Sequence, residues 1–123
     1  MALKYTKDHE WVRMDGDIAV IGITAHAAEQ LGDVVFVELP EKGAKFKQHG
    51  EMAVVESVKA ASDVYAPISG EIVEVNRAII EDPARINADP MGNAWFVKLM
   101  PSNPAEVDSL MDESAYGAFT AGE

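Results

Sequence analysis

Apolar and polar residues along this chain alternate mainly with a period of two, in short runs broken by turn formers. Glu10-Trp11-Val12-Arg13 and Ile18-Ala19-Val20-Ile21 flank Met14-Asp15-Gly16-Asp17. An Asp-Gly step between two such runs signals a β-hairpin, with Trp11 expected in the core. Asp33 to Leu39, rich in valine, reads as the strongest strand, closed by Pro40 and a turn around Glu41-Lys42-Gly43. Glu51 to Ser57 and Asp63 to Ala66 form a further strand pair that stops at Pro67, and Gly70 opens a strand over Glu71 to Asn76. From Trp95 to Met100 the alternation predicts Trp95, Val97 and Leu99 on one face, against Phe96, Lys98 and Met100.

Helical signals are few. Thr24 is a plausible N-cap for a short helix through Leu31, and Gly32 fits the position just past its end. Near the C-terminus, Asn103 is expected as an N-cap, with Pro104 and Glu106 in the first turn and Val107, Leu110 and Met111 as one apolar stripe. Ser114 to Phe119 predicts a second short helix that packs Tyr116 and Phe119 inward. The stretch from Asn76 to Ala94 is dense in turn formers and long for a structureless connection, so it either carries function or contains a helical turn.

Short strands with turns about every eight to twelve residues predict a mainly β fold: a small antiparallel β-sandwich or flattened barrel with peripheral short helices and a helical C-terminus. At 123 residues the chain is expected to form a single domain, 1–123, with 103–123 as a tail packed on the sandwich. Its 48% apolar content fits a globular protein.

Charge and cysteine content narrow the function. The net charge of −11 argues against nucleic acid and anionic membrane as partners. No cysteine is present, so any thiol chemistry must come from a cofactor. The first residues, Met1 to Asp8, lack the apolar core of a signal peptide and an arginine-rich transit character. The expected location is the prokaryotic cytoplasm, with a processed mitochondrial form as the alternative. Of the histidines, His9 adjoins Glu10 and His26 lies one helical turn from Glu29, but no further ligands recur at metal-binding spacing, and His49 stands alone. No metal site, glycine-rich phosphate loop or catalytic triad is expected.

Lys59 is the one residue that invites chemistry. It lies at the tip of the predicted hairpin, beside Ala60, Ala61 and Ser62, which are too small to hide its amine. An ordinary lysine has a pKa of about 10.4, so roughly one amine in a few thousand is neutral at pH 7. Nothing in this turn desolvates it into a nucleophile, and it reads better as an acceptor that another enzyme acylates. Ser62 or Asp63 is expected to make a local turn hydrogen bond.

Glu56-Ser57-Val58-Lys59-Ala60-Ala61-Ser62-Asp63, followed by Tyr65-Ala66-Pro67-Ile68-Ser69-Gly70-Glu71-Ile72, closely resembles the lipoyl-lysine segment of the glycine cleavage H-protein family. Tyr5 to Val12, Gly22-Ile23-Thr24, Gln30 to Asp33, Phe36 to Pro40 and Ile86 to Pro90 extend the resemblance over most of the chain. It implies a hammerhead sandwich (a barrel-sandwich hybrid) with lipoate in amide linkage to Lys59. Glu56, Ser57, Val58, Ala60 and Asp63 would then form the motif that a lipoylating enzyme reads. The implied partners are glycine decarboxylase (P-protein), aminomethyltransferase (T-protein) and dihydrolipoamide dehydrogenase (L-protein), served by a monomer without turnover of its own. Octanoyl or lipoyl transferase, lipoate ligase and lipoyl synthase would install the cofactor. The resemblance also implies a polar cleft that shelters the loaded arm, lined by Glu10, Asp63 and Asp8, with Leu31 and Asp33 as further neighbours.

Three other readings compete. An H-like protein can relay lipoyl groups to 2-oxo acid dehydrogenases. Biotin carriers resemble Met-Lys-Met at the tip, whereas Val58 and Ala60 flank this lysine. A cofactor-free β-sandwich binding module is the third. The chain departs from the family wording at Gly92-Asn93-Ala94 before Trp95 and at the apolar Ile79-Ile80, which bears on loop conformation rather than on the lysine motif.

Overall fold

In the computed structural model, which describes residues 3–122, two antiparallel sheets face each other. The larger contains β1 (Leu3–Tyr5), β2 (Glu10–Asp15), β3 (Ile18–Ile23), β9 (Val97–Pro101), β8 (Gly70–Val75) and β5 (Lys45–Phe46), side by side in that order. The smaller contains β4 (Val34–Glu38), β6 (Glu51–Ser57) and β7 (Ala61–Tyr65), with β6 central. The two sheets share no ladder. The architecture is therefore an open sandwich, and of the two expected forms the closed barrel is not the one adopted.

Alternation puts Val12, Ile21, Val37, Val55, Val64, Ile72, Val97 and Leu99 into one core between the sheets. The other face of β2 and β3 carries Trp11 and Val20 into a second cluster with Tyr5 and Tyr116. Trp11 is fully buried, as expected, and its indole N–H donates to the Pro90 carbonyl at 2.9 Å. Its register partner is Gly22. A Cβ at Gly22 would lie 2.8 Å from the indole ring, so only glycine lets the ring cross β3 there.

Helix α1 (Ala25–Leu31) begins as its sequence predicts: the Thr24 hydroxyl accepts from the Ala27 N–H at 3.2 Å. Gly32 follows with φ +78°, a conformation that side-chain-bearing residues rarely adopt. The turn-dense stretch holds two short helices, α2 (Arg77–Glu81) and α3 (Arg85–Ala88). Asn76 anchors it: its Oδ1 caps α2 at Ala78, while its Nδ2 donates to the carbonyls of Asn93 and Trp95. Each helix sends one isoleucine, Ile79 or Ile86, fully into the core.

Three local expectations are corrected. Phe96 does not share a face with Lys98 and Met100 but is fully buried like Val97 and Leu99, because β9 starts only at Val97 and Phe96 bonds through its own N–H to the Ile21 carbonyl. Asn103 makes no side-chain cap; its carbonyl accepts from the Glu106 N–H, and α4 (Ala105–Asp108) ends after one turn. Glu106 instead holds Ser69 through the Ser69 N–H at 2.7 Å and hydroxyl at 3.1 Å. Leu110 and Met111 thus fall outside any helix, and Met111 bridges to Tyr5 as an extra rung beside β1. The last helix, α5 (Glu113–Ala121), is capped by Asp112 and stacks Tyr116 on Tyr5 with ring centroids 4.4 Å apart.

Candidate functional site

Lys59 is the middle residue of the three-residue loop joining β6 to β7, exposed at the tip as expected. Ser57, not Ser62 or Asp63, organises that loop. Its hydroxyl donates to the Ala60 carbonyl at 3.1 Å and accepts from the N–H groups of Lys59 and Ala60, each at 3.2 Å. The Ser57 N–H closes the turn on the Ala60 carbonyl at 2.8 Å. A serine before the tip reaches both following amides; Ser62 and Asp63 are already committed to the ladder opposite Val55 and Val54.

The tip is also tied sideways. The Val58 N–H donates to the Asp33 carbonyl at 3.0 Å, and the Lys59 stem passes over Gly32, whose missing side chain would otherwise meet it at 3.0 Å. Asn87 of α3 braces the same loop, donating to the Gly32 carbonyl at 2.7 Å and accepting from the Val34 N–H at 2.9 Å. Asn87 was legible only as part of the Ile86 to Pro90 wording, with no role attached.

Beside the hairpin lies a cleft of about 180 Å³ between β7, α1 and the loop before β2. Asp8, Glu10 and Asp63 all line it, together with Leu31; Asp33 does not. Ile23, Ala27, Val55 and Val64 supply apolar walls. Glu10 is only 2% exposed. Its Oε1 accepts from the Thr6 hydroxyl at 2.7 Å and its Oε2 from the Tyr65 N–H at 3.0 Å. Burial pushes its carboxyl up to about 7; the two hydrogen bonds oppose that shift, and the nearby Asp8 charge adds to it. Thr6 carried no signal in the sequence, because its partner is set by a turn in which His9 takes φ +66°.

His9, which also lines the cleft, contacts the Tyr116 hydroxyl at 2.7 Å and its ring lies 4.6 Å from that of His26, so two of the three histidines meet there. Among the described residues, no three His, Cys, Asp or Glu side chains are grouped to hold a metal, and no helix is long and apolar enough to cross a membrane.

Residues 3–123 match the family described as glycine cleavage H-protein. The chain belongs to that family. A glycine cleavage system H protein of Phenylobacterium zucineum is 61% identical over 119 residues, covering 97% of this chain and 98% of the relative. One from Caulobacter vibrioides is 60% identical over 117 residues, covering 95% and 97%. The crystal structure of a Mycobacterium marinum glycine cleavage system H protein superposes with a TM-score of 0.89 at 40% identity, covering 98% of this chain and 97% of that one. Membership makes this chain an H-protein-family carrier subunit of the glycine cleavage system, a family that carries lipoate.

The site suits such a group. Lys59 offers an exposed amine on a fixed turn, and the neighbouring cleft pairs apolar walls with carboxylates. The apolar walls match the hydrocarbon chain of lipoate, and the carboxylates match a cationic group carried on that chain.

Proposed function

We propose that the 1–123 chain acts as one lipoyl-carrier domain with lipoate in amide linkage to Lys59, without turnover of its own. In this reading it takes the aminomethyl group from the glycine decarboxylase (P-protein) to the aminomethyltransferase (T-protein). It then passes electrons to the dihydrolipoamide dehydrogenase (L-protein). Bacterial relatives favour the prokaryotic cytoplasm as its location. The carrying observation is the exposed Lys59 on a turn locked by Ser57, next to a cleft holding Asp8, Glu10 and Asp63.

Lipoate supplies the dithiol chemistry that a cysteine-free chain cannot. The protein's own residues do the rest. Ser57 and Asn87 fix the base of the arm, so that motion is confined beyond the lysine stem. Glu56, Ser57, Val58, Ala60 and Asp63 present the lysine to the lipoylating enzyme, whether octanoyl or lipoyl transferase or lipoate ligase. In the cleft, Glu10 and Asp63, with Asp8 beside them, attract a cationic amino group, while Ile23, Leu31 and Val64 limit the water that reaches it.

The test is the lifetime of the aminomethyl-loaded protein apart from its partners. Glu10→Gln combined with Asp63→Asn should shorten it several-fold, followed as formaldehyde release. An unchanged lifetime would remove the sheltering role.

A further inference from the structure

The sheet that carries Lys59 has an outer face that the fold does not use. Cross-strand register places Phe36, Glu56 and Ala61 in one row and Glu38, Val54 and Asp63 in the next. Residues directly opposite in an antiparallel ladder share a face, so both rows point the same way. The reverse face carries Val37, Val55 and Val64 into the core, each no more than 3% exposed. In these outer rows only Val54 is half-buried; the other five residues are exposed, Phe36 to 48%. Val35, at a bulge in β4, and Val58, beside Lys59, are 55% and 68% exposed.

Nothing inside the protein requires these side chains to be apolar. Threonine at Phe36 or Val35 would suit a strand, and a serine at Val58 would suit the loop. Exposed apolar residues gathered at one end of a molecule mark a surface that another molecule covers. Its border is acidic. Asp33, Glu38 and Glu56 are exposed around it, while Asp63 sits on the edge strand β7, where it lines the cleft.

We propose that this face, centred on Phe36, Val35 and Val58, is where the enzyme that acylates Lys59 docks. The partner surface is then an apolar patch edged by lysine and arginine, complementary to the three carboxylates. The inference rests on Lys59 being the attachment residue. Position supports it: Val58 adjoins the reacting lysine in sequence and is tied to the start of β4 through the Asp33 carbonyl, so a protein that engulfs the tip meets Val58 and Val35 first. Apolar contact then supplies hold and the carboxylates steer approach, a division suited to a brief encounter.

Steady-state lipoylation of the full chain by a purified lipoate ligase, with lipoate and ATP, tests this. Phe36→Thr and Val58→Ser are each expected to raise the KM for the protein substrate about tenfold while leaving kcat within about twofold. Met100→Thr, at an apolar residue of the other sheet about as exposed as Phe36, should match the wild type. Glu38→Lys should raise KM at low salt, with the difference vanishing at high salt. Thermal denaturation of each variant checks that the fold is retained. An unchanged KM for Phe36→Thr and Val58→Ser, with wild-type protein lipoylated at Lys59, would overturn the docking face alone. Self-association of the wild type that Phe36→Thr abolishes, without any effect on KM, would assign the face to a second copy and likewise overturn it. Wild-type protein that takes no adduct on Lys59 would remove the carrier reading and this inference together.

Discussion

The Glu10 carboxylate is bonded to the hairpin itself, its Oε2 accepting the Tyr65 backbone N–H of β7 at 3.0 Å. A cleft carboxylate and the lysine-bearing hairpin are thus one hydrogen-bonded unit. That coupling gives the cleft a pH dependence. The native carboxyl, pushed from its ordinary 4.5 to about 7 chiefly by burial, holds its proton more tightly than in the unfolded chain. Its contribution is fully present at acid pH and is lost as pH rises through the native value.

Urea unfolding at pH 5 and pH 8 measures this. The wild type should lose stability on the order of 2–3 kcal/mol from Glu10 across that range, less than the whole shift converted at about 1.4 kcal/mol per unit because pH 5 already lies above the unfolded value. Glu10→Gln, which has no proton to lose, should flatten that slope. Equal slopes in the two proteins would contradict the assignment.

Ser57→Ala removes the hydroxyl that holds the tip amides of Lys59 and Ala60. The expected loss is about 1–2 kcal/mol, with much of it local. Hydrogen exchange at those two amides should quicken before the rest of β6 and β7 is affected. Protection unchanged at the tip would show that the turn stands without Ser57.

Asn87→Ala should cost about 1–3 kcal/mol, because the Val34 N–H it satisfies belongs to a residue only 4% exposed. Asn87→Asp keeps an acceptor for Val34 but sets a charged oxygen against the Gly32 carbonyl, so whatever stability it retains above alanine measures the Val34 bond. Chemical denaturation ranks the three; an aspartate no better than alanine would place the value of Asn87 on the Gly32 side.

Much of this architecture was legible because alternation and turn chemistry agree. The β2–β3 pair, α1 with its Thr24 cap and the Lys59 hairpin all came from patterns that two neighbouring strands or one turn can enforce. The same is true of Lys59 itself, whose small neighbours leave it exposed. Legibility failed where one residue answers to distant partners. Phe96 is buried by where β9 begins, Glu106 turns to Ser69 across the fold, and a helix of one turn cannot reveal itself by period. Glu10, Asp63 and Asp8 as one group came only from the family resemblance, since 53 residues separate Glu10 from Asp63 and only the packed hairpin brings them to one cleft.

Gly22→Ala would press a methyl group against Trp11 at 2.8 Å. Neither the buried indole nor the central strand can move far, so a loss of about 1–3 kcal/mol is expected, with altered tryptophan fluorescence. An alanine variant of wild-type stability would show that β3 and Trp11 can shift apart.

The central claim is that Lys59 carries lipoate, and intact mass with peptide mapping tests it most directly. Protein purified from a lipoylation-competent host, alongside Lys59→Arg, should show a single lipoyl-sized adduct on the Lys59 peptide that is missing from the variant. A biotin-sized adduct, an adduct on another lysine, or none when lipoate and a ligase are supplied would contradict it.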